Sequence, residues 1–142
     1  MAKVRQDRDR DTGSGDKSSP KVVVKYCDLF NKTAAQHLRP GTPIYKSFTD
    51  FIATKVANPI TQYGSSDKKN PSGTPMSIEV PGIRHAHLTH DISVFYTVSG
   101  ANPTLLKLYA IMTHDEAGSG QPPNHKIQKG VAKRMANQTF LQ

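Results

Sequence analysis

From Asp91 to Val98 the chain reads DISVFYTV, with Ile92, Val94, Tyr96 and Val98 on one side of a period-two alternation and Ser93, Phe95 and Thr97 on the other. β-branched and aromatic residues in that rhythm predict a strand. The turn-forming residues Ser99 to Thr104 lead into LLKLYAIM, Leu105 to Met112, which is apolar on both faces apart from Lys107. That run predicts a central strand covered on both sides, joined to the first as an antiparallel hairpin. Upstream, Lys21 to Tyr26 is a short β-branched run and a first strand. A helix capped by Asp28 or Asn31 is expected to run to Leu38 and end at Arg39-Pro40-Gly41. Thr42 then precedes Pro43, and Ile44, Phe48, Phe51, Ile52 and Val56 follow at helical spacing, which predicts an amphipathic helix over Pro43 to Ala57. Ile60 to Pro75 reads as loop, in which Asp67-Lys68-Lys69 either lines a site or is an exposed stretch with no partner; Met76 to Val80 reads as an edge strand, and Pro81-Gly82 as a turn or bulge. Asn124 is positioned to cap a last helix in which Ile127, Val131 and Met135 form the packing stripe. The succession of strand, two helices, edge strand, hairpin and helix implies an α+β domain over residues 21–142: a small curved antiparallel sheet with helices packed on one face.

Composition adjusts this picture at the two ends. The formal charge is +8 in 142 residues, and residues 121–142 hold four basic side chains and no acidic one. Such a concentration suits a polyanion-binding edge. Residues 1–20 alternate charges and then run into Gly, Ser and Pro, so they are expected to form a disordered N-terminal arm. The single cysteine, Cys27, excludes an internal disulfide and reads as a buried inert thiol suited to a reducing compartment. No apolar run approaches the roughly 20 residues of a membrane span, and the N-terminus lacks a secretory pattern. The expectation is a cytoplasmic protein with no membrane partner.

The candidate chemistry gathers around the hairpin. HAHLTHD, His85 to Asp91, enters it and THDE, Thr113 to Glu116, leaves it, so four of the six histidines fall near one end of a β-ribbon. Imidazoles titrate near neutral pH, and a cluster of them can both accept and donate protons. Arg84 supplies a permanently charged fork suited to phosphate. Residues 85 and 87 share a strand face and 84 faces away, so Arg84 joins them only if the strand is twisted by a bulge. A histidine on a strand is also commonly a half-buried residue with one satisfied hydrogen bond; four in one hairpin favour function.

The order of these segments resembles the RelE/ParE superfamily of bacterial toxins, and within it the YafO-type branch of ribosome-dependent messenger-RNA endonucleases. The resemblance is carried by IRHAHL at Ile83 to Leu88, Val94 to Tyr96, LLKLYAIMTHDE at Leu105 to Glu116 and HKIQKGVAKRM at His125 to Met135. It covers about half of the chain; the long N-terminal arm and the two acids beside His114 depart from it. It implies a type II toxin with a RelE-like fold, a cognate antitoxin that covers the site, and cleavage of messenger RNA on the ribosome. The implied reaction needs no metal or cofactor. A ribose 2′-hydroxyl attacks the adjacent phosphate, with a base for that hydroxyl, an acid for the departing 5′-oxygen and cations for the charge on phosphorus. His85, His87 and His114 are the candidate acid–base residues, with His87 and His114 the foremost pair in an order left open. Arg84 is the candidate phosphate cation, and Asp91 or Asp115 a residue to orient an imidazole. Lys126, Lys129, Lys133 and Arg134 are expected to contact flanking RNA, and Tyr96 and Tyr109 are candidates to stack on bases, although aromatic residues within hydrophobic strands are more often core.

Two other classes fit parts of the pattern. HAHLTH resembles the HxHxDH signature of metallo-β-lactamase-like zinc hydrolases, with His114 completing a set, but Thr89 stands where that signature needs aspartate and the chain is short for that fold. A ParE-type toxin that binds DNA gyrase without cutting RNA is the non-catalytic alternative. His87→Ala and His114→Ala separate it from a nuclease, because a binder keeps its toxicity.

Overall fold

The computed structural model describes residues 21–140, so the expected N-terminal arm lies outside the described residues. Among the described residues five strands form one sheet in the order β1-β5-β4-β3-β2: β1 (Val22–Tyr26), β2 (Lys68–Lys69), β3 (Arg84–His87), β4 (Ile92–Ser99) and β5 (Thr104–Thr113). The helices are α1 (Asp28–His37), α2 (Pro43–Ala57), α3 (Pro75–Glu79), α4 (His114–Ala117) and α5 (His125–Ala136). The class is α+β, with the β4–β5 hairpin at its centre. The sheet is mixed, because β1 lies parallel to β5 while every other pair is antiparallel. The chain reaches β5 only after α1, α2 and three intervening strands, a connection long enough to return in the same direction.

The pleat divides the sheet into two faces. Arg84, Ala86, Val94, Tyr96, Leu108 and Ile111 are register neighbours on one of them. α2 covers this face through Phe51, which meets the Tyr96 ring edge-on at 5.1 Å, and α1 joins through Phe30, which packs against Phe48 of α2. Full burial of each such side chain contributes roughly 1.5–3 kcal/mol. The opposite face carries His85, His87, Ser93, Phe95 and Met112. The C-terminal part of the chain covers part of it, with Phe140 packed edge-on against Tyr109 at 4.7 Å. Helix α5 reaches the same face through Gln128, so the helices occupy both faces, a correction to the one-sided packing expected from their order.

Three further segments differ from the sequence reading. Met76 to Val80, expected to be an edge strand, is helix α3 followed by its C-cap; Thr74 Oγ1 accepts from Ser77 N, and Pro75 occupies the first turn. This is the same Thr-Pro start that opens α2, where Thr42 Oγ1 accepts from Tyr45 N at 3.3 Å. The edge strand instead comes from the expected loop: Lys68 and Lys69 pair with His85 and Arg84. In α5 the buried positions are Val131, Ala132 and Met135, while Ile127 stays 40% exposed.

The β4–β5 ladder shifts register between Phe95 and Tyr96, leaving Tyr109 as the additional residue. Beyond the reach of β1, the open edge of β5 is closed by side chains: Thr33 Oγ1 accepts from Ile111 N at 2.9 Å, and the Cys27 thiol donates to Tyr109 O at 3.4 Å. Cys27 is buried, and that burial pushes its thiol pKa up. No helix among the described residues is long and apolar enough to cross a membrane.

Candidate active site

His85 and His87 alternate with buried Ala86 on β3, so the pleat projects both imidazoles from the same face. Four residues later the chain must reverse. Thr89 Oγ1 accepts from the backbone N–H groups of Asp91 and Ile92, at 3.2 and 3.0 Å, and holds the turn. Thr89, which interrupts the zinc signature, thus has a structural task. The register pairs Ile92 with Thr113, which brings Asp91 beside the end of β5. There Thr113 starts α4 with a capping box, accepting from Glu116 N while the Glu116 carboxylate accepts from Thr113 N. His114 is the first residue of that helix. Its backbone N–H donates to Asp91 O at 3.1 Å, and its Nδ1 lies 3.5 Å from Asp91 Oδ1.

Three imidazoles meet as a result. The His85 and His87 ring centroids are 5.9 Å apart, and those of His87 and His114 are 5.4 Å apart. They line a cleft of about 250 Å³ whose apolar lining includes Phe95, Met76 and Met112, with Gln128 of α5 also contributing. Burial lowers the pKa of His85, and the nearby positive charges of His87 and Lys68 lower it further. Burial also lowers His87, with His114 and Lys68 adding to the effect. Both rings therefore favour the neutral form near pH 7.

The other expected site residues are dispersed. Arg84 lies on the α2 side, where its Nε donates to Tyr96 Oη at 3.3 Å. The β3–β4 pairing runs without a shift, so no bulge turns Arg84 toward the histidines. Tyr96 is fully buried, and this corrects its expected role of stacking on a base. Its hydroxyl donates to Asp67 Oδ1. Asp67 also accepts from Lys55 Nζ at 2.5 Å and from Tyr63 N at 2.8 Å. Burial raises the Asp67 pKa, but Lys55 and these hydrogen bonds outweigh it and hold the carboxyl below its ordinary value. Asp115 is exposed, and Glu116 accepts from or pairs with His37 Nε2 at 2.9 Å, away from the imidazole row. Lys126, Lys129, Lys133 and Arg134 are all exposed on α5, the helix that also supplies Gln128 to the cleft.

On the β2 side sequence reasoning missed Ser66 and Asn70, and left Lys68 between lining a site and lying in an exposed loop. Ser66 Oγ accepts from His87 N at 3.2 Å, Lys68 is the register partner of His85, and Asn70 Oδ1 lies 2.6 Å from His85 Nδ1. Their signal was the alternation in SSDKKN: Ser66, Lys68 and Asn70 serve the histidine face, and Asp67 points into the core. Lys68 therefore stands where Arg84 was expected. Among the described residues no group of three or more histidine, cysteine, aspartate or glutamate side chains is arranged to hold a metal ion.

No family model matches the chain, and no curated protein matches it. Among solved structures it is similar to a chain of the E. coli DinJ-YafQ complex, with 15% identity and a TM-score of 0.47, covering 67% of this chain and 96% of that one. A second structure of the DinJ-YafQ toxin-antitoxin complex from E. coli gives 13% identity and a TM-score of 0.48, covering 67% and 94%.

Proposed function

We propose that the chain is a toxin of a type II toxin–antitoxin system, acting as a metal-independent endoribonuclease on messenger RNA. The observation that carries this reading is the His87–His114 pair, ring centroids 5.4 Å apart, lining one cleft. Two imidazoles at that separation suit proton transfer at the two ends of one phosphodiester linkage. Their surroundings suggest an order. His87 is lowered by burial and neighbouring cations and is neutral near pH 7, the state of a base that takes the 2′-hydroxyl proton. His114 has the Asp91 carboxylate 3.5 Å from Nδ1, an orienting partner for an imidazolium that protonates the departing 5′-oxygen. The 2′-oxygen bonds to phosphorus as the bond to the 5′-oxygen breaks, leaving a cyclic phosphate and a free 5′-hydroxyl. Lys68 supplies positive charge on the same face. Lys126, Lys129, Lys133 and Arg134 extend a basic track along α5 for flanking phosphates.

The partners follow from the same reading: an RNA strand within the ribosome, and an antitoxin that closes the cleft. Primer extension on messenger RNA after induction tests it. New 5′ ends should appear with the wild-type chain and disappear with His87→Ala and His114→Ala. Toxicity that persists in both variants without cleavage would replace this reading by a binding toxin.

A further inference from the structure

Each end of the imidazole row has its own polar partner: Asp91 beside His114, and Asn70 beside His85. Asn70 is neutral, so its effect is on hydrogen placement. Its Oδ1 lies 2.6 Å from His85 Nδ1, while its Nδ2 is directed to Met76 Sδ at 3.6 Å. The opposite amide orientation would place a carbonyl oxygen against the thioether sulfur, two acceptors face to face. Asn70 therefore acts as acceptor, and His85 must carry its proton on Nδ1. The remaining nitrogen, Nε2, is then a bare acceptor on a ring that lines the cleft.

We infer that Asn70 locks His85 in its Nδ1–H tautomer, and that the bare Nε2 is a recognition acceptor for a ribose 2′-hydroxyl of the bound strand. A ribose hydroxyl is the donor that distinguishes RNA from DNA at a given position. The inference rests on the ribonuclease reading for its ligand but gives His85 a task separate from proton transfer. It also assigns Asn70 as a positioning residue acting through that ring.

Two measurements test it. Ring nitrogen-15 NMR of the full chain reads the tautomer directly. His85 should carry its hydrogen on Nδ1 in the wild type and in Asn70→Asp, which keeps the acceptor, and should shift toward Nε2–H in Asn70→Ala. The second measurement uses His87→Ala as the background, in which the proposed base is gone and the ribose is intact. An RNA oligonucleotide and a DNA oligonucleotide of the same sequence are titrated against it. The preference for RNA should fall about tenfold when Asn70→Ala is added, the scale of one hydrogen bond, and should be retained with Asn70→Asp. Nε2–H in the wild type, or an RNA preference indifferent to Asn70, overturns the inference. A wild-type chain that prefers RNA through Asn70 but cuts none leaves the inference standing and removes only the nuclease. A chain that binds neither oligonucleotide overturns both.

Discussion

His87 ends strand β3 and His114 follows directly on the end of β5, yet their surroundings differ. His87 is lowered by burial and by the neighbouring His114 and Lys68, whereas His114 faces a carboxylate. Replacing either by alanine should lower the cleavage rate by about 10² to 10⁴, the usual contribution of a positioned proton-transfer group. Single-turnover cleavage of a short RNA is the check. The acid limb of the wild-type pH–rate profile should fall below the ordinary imidazole value of 6.5, because the base acts in its neutral form and its pKa is lowered. An acid limb above 6.5 would exclude His87 as that base. The clustering of imidazoles was legible from the positions of HAHLTHD and THDE around one hairpin. The pairing that brings Lys68 and the adjoining Asn70 to the imidazoles was not, because a strand of two residues takes its partners from the rest of the sheet.

At the scale of elements, the residues between α2 and β3 connect the core to the cleft. Asp67 is nearly inaccessible and bonded to Lys55, Tyr96 and the Tyr63 amide, while its neighbours Ser66 and Lys68 serve the histidine face. Asp67→Ala leaves Lys55 as an uncompensated buried cation and should cost about 3 to 5 kcal/mol by denaturant unfolding. Lys55→Met combined with Asp67→Leu strands no charge and should cost less, the remainder coming from the Tyr63 N–H and Tyr96 hydroxyl left without their acceptor. A double variant as damaged as the single one would show that these hydrogen bonds, not the charge pair, hold this segment. Gly118 ends α4 at φ +79°, and a Cβ there would meet backbone atoms Asn124 O at 2.7 Å and Gln128 N at 2.8 Å. Gly118→Ala should therefore destabilise by more than the ~1 kcal/mol of the left-handed conformation alone, and loosen the α5 wall of the cleft. Helix α2 was legible to its limits because Thr-Pro, the apolar spacing and Asn-Pro all agree. Helix α3 has the same Thr-Pro opening, but its five residues are too few for a helical period to show.

The whole molecule places its ionisable groups where folding responds to acid. His85 and His87 have lowered folded-state values, so the unfolded chain binds protons first, near 6.5, as pH falls. Their contribution to stability is complete above 6.5 and is lost as pH drops through the lowered values. Asp67 and Glu116, also lowered, act in a separate window below their ordinary values of 3.8 and 4.5. Thermal unfolding between pH 7 and pH 5 should show declining stability, and His85→Gln should flatten that slope. Its persistence undiminished would place the titration elsewhere. The charge of +8 predicts a salt-dependent interaction with RNA, and removing Lys126 or Lys129 should reduce the slope of log affinity against log salt by about 0.7 each, if each contacts one phosphate. By itself the sequence determined the central hairpin, helices α1, α2 and α5 and the convergence of histidines at one ribbon end, because local periodicity and turn chemistry set these. Tertiary structure decided which face each side chain joined. It sent Arg84 and Tyr96 to the helix-covered side, paired β1 parallel to β5 and brought Lys68 and Asn70 to the imidazoles, because pairing between distant strands carries no local periodic signal.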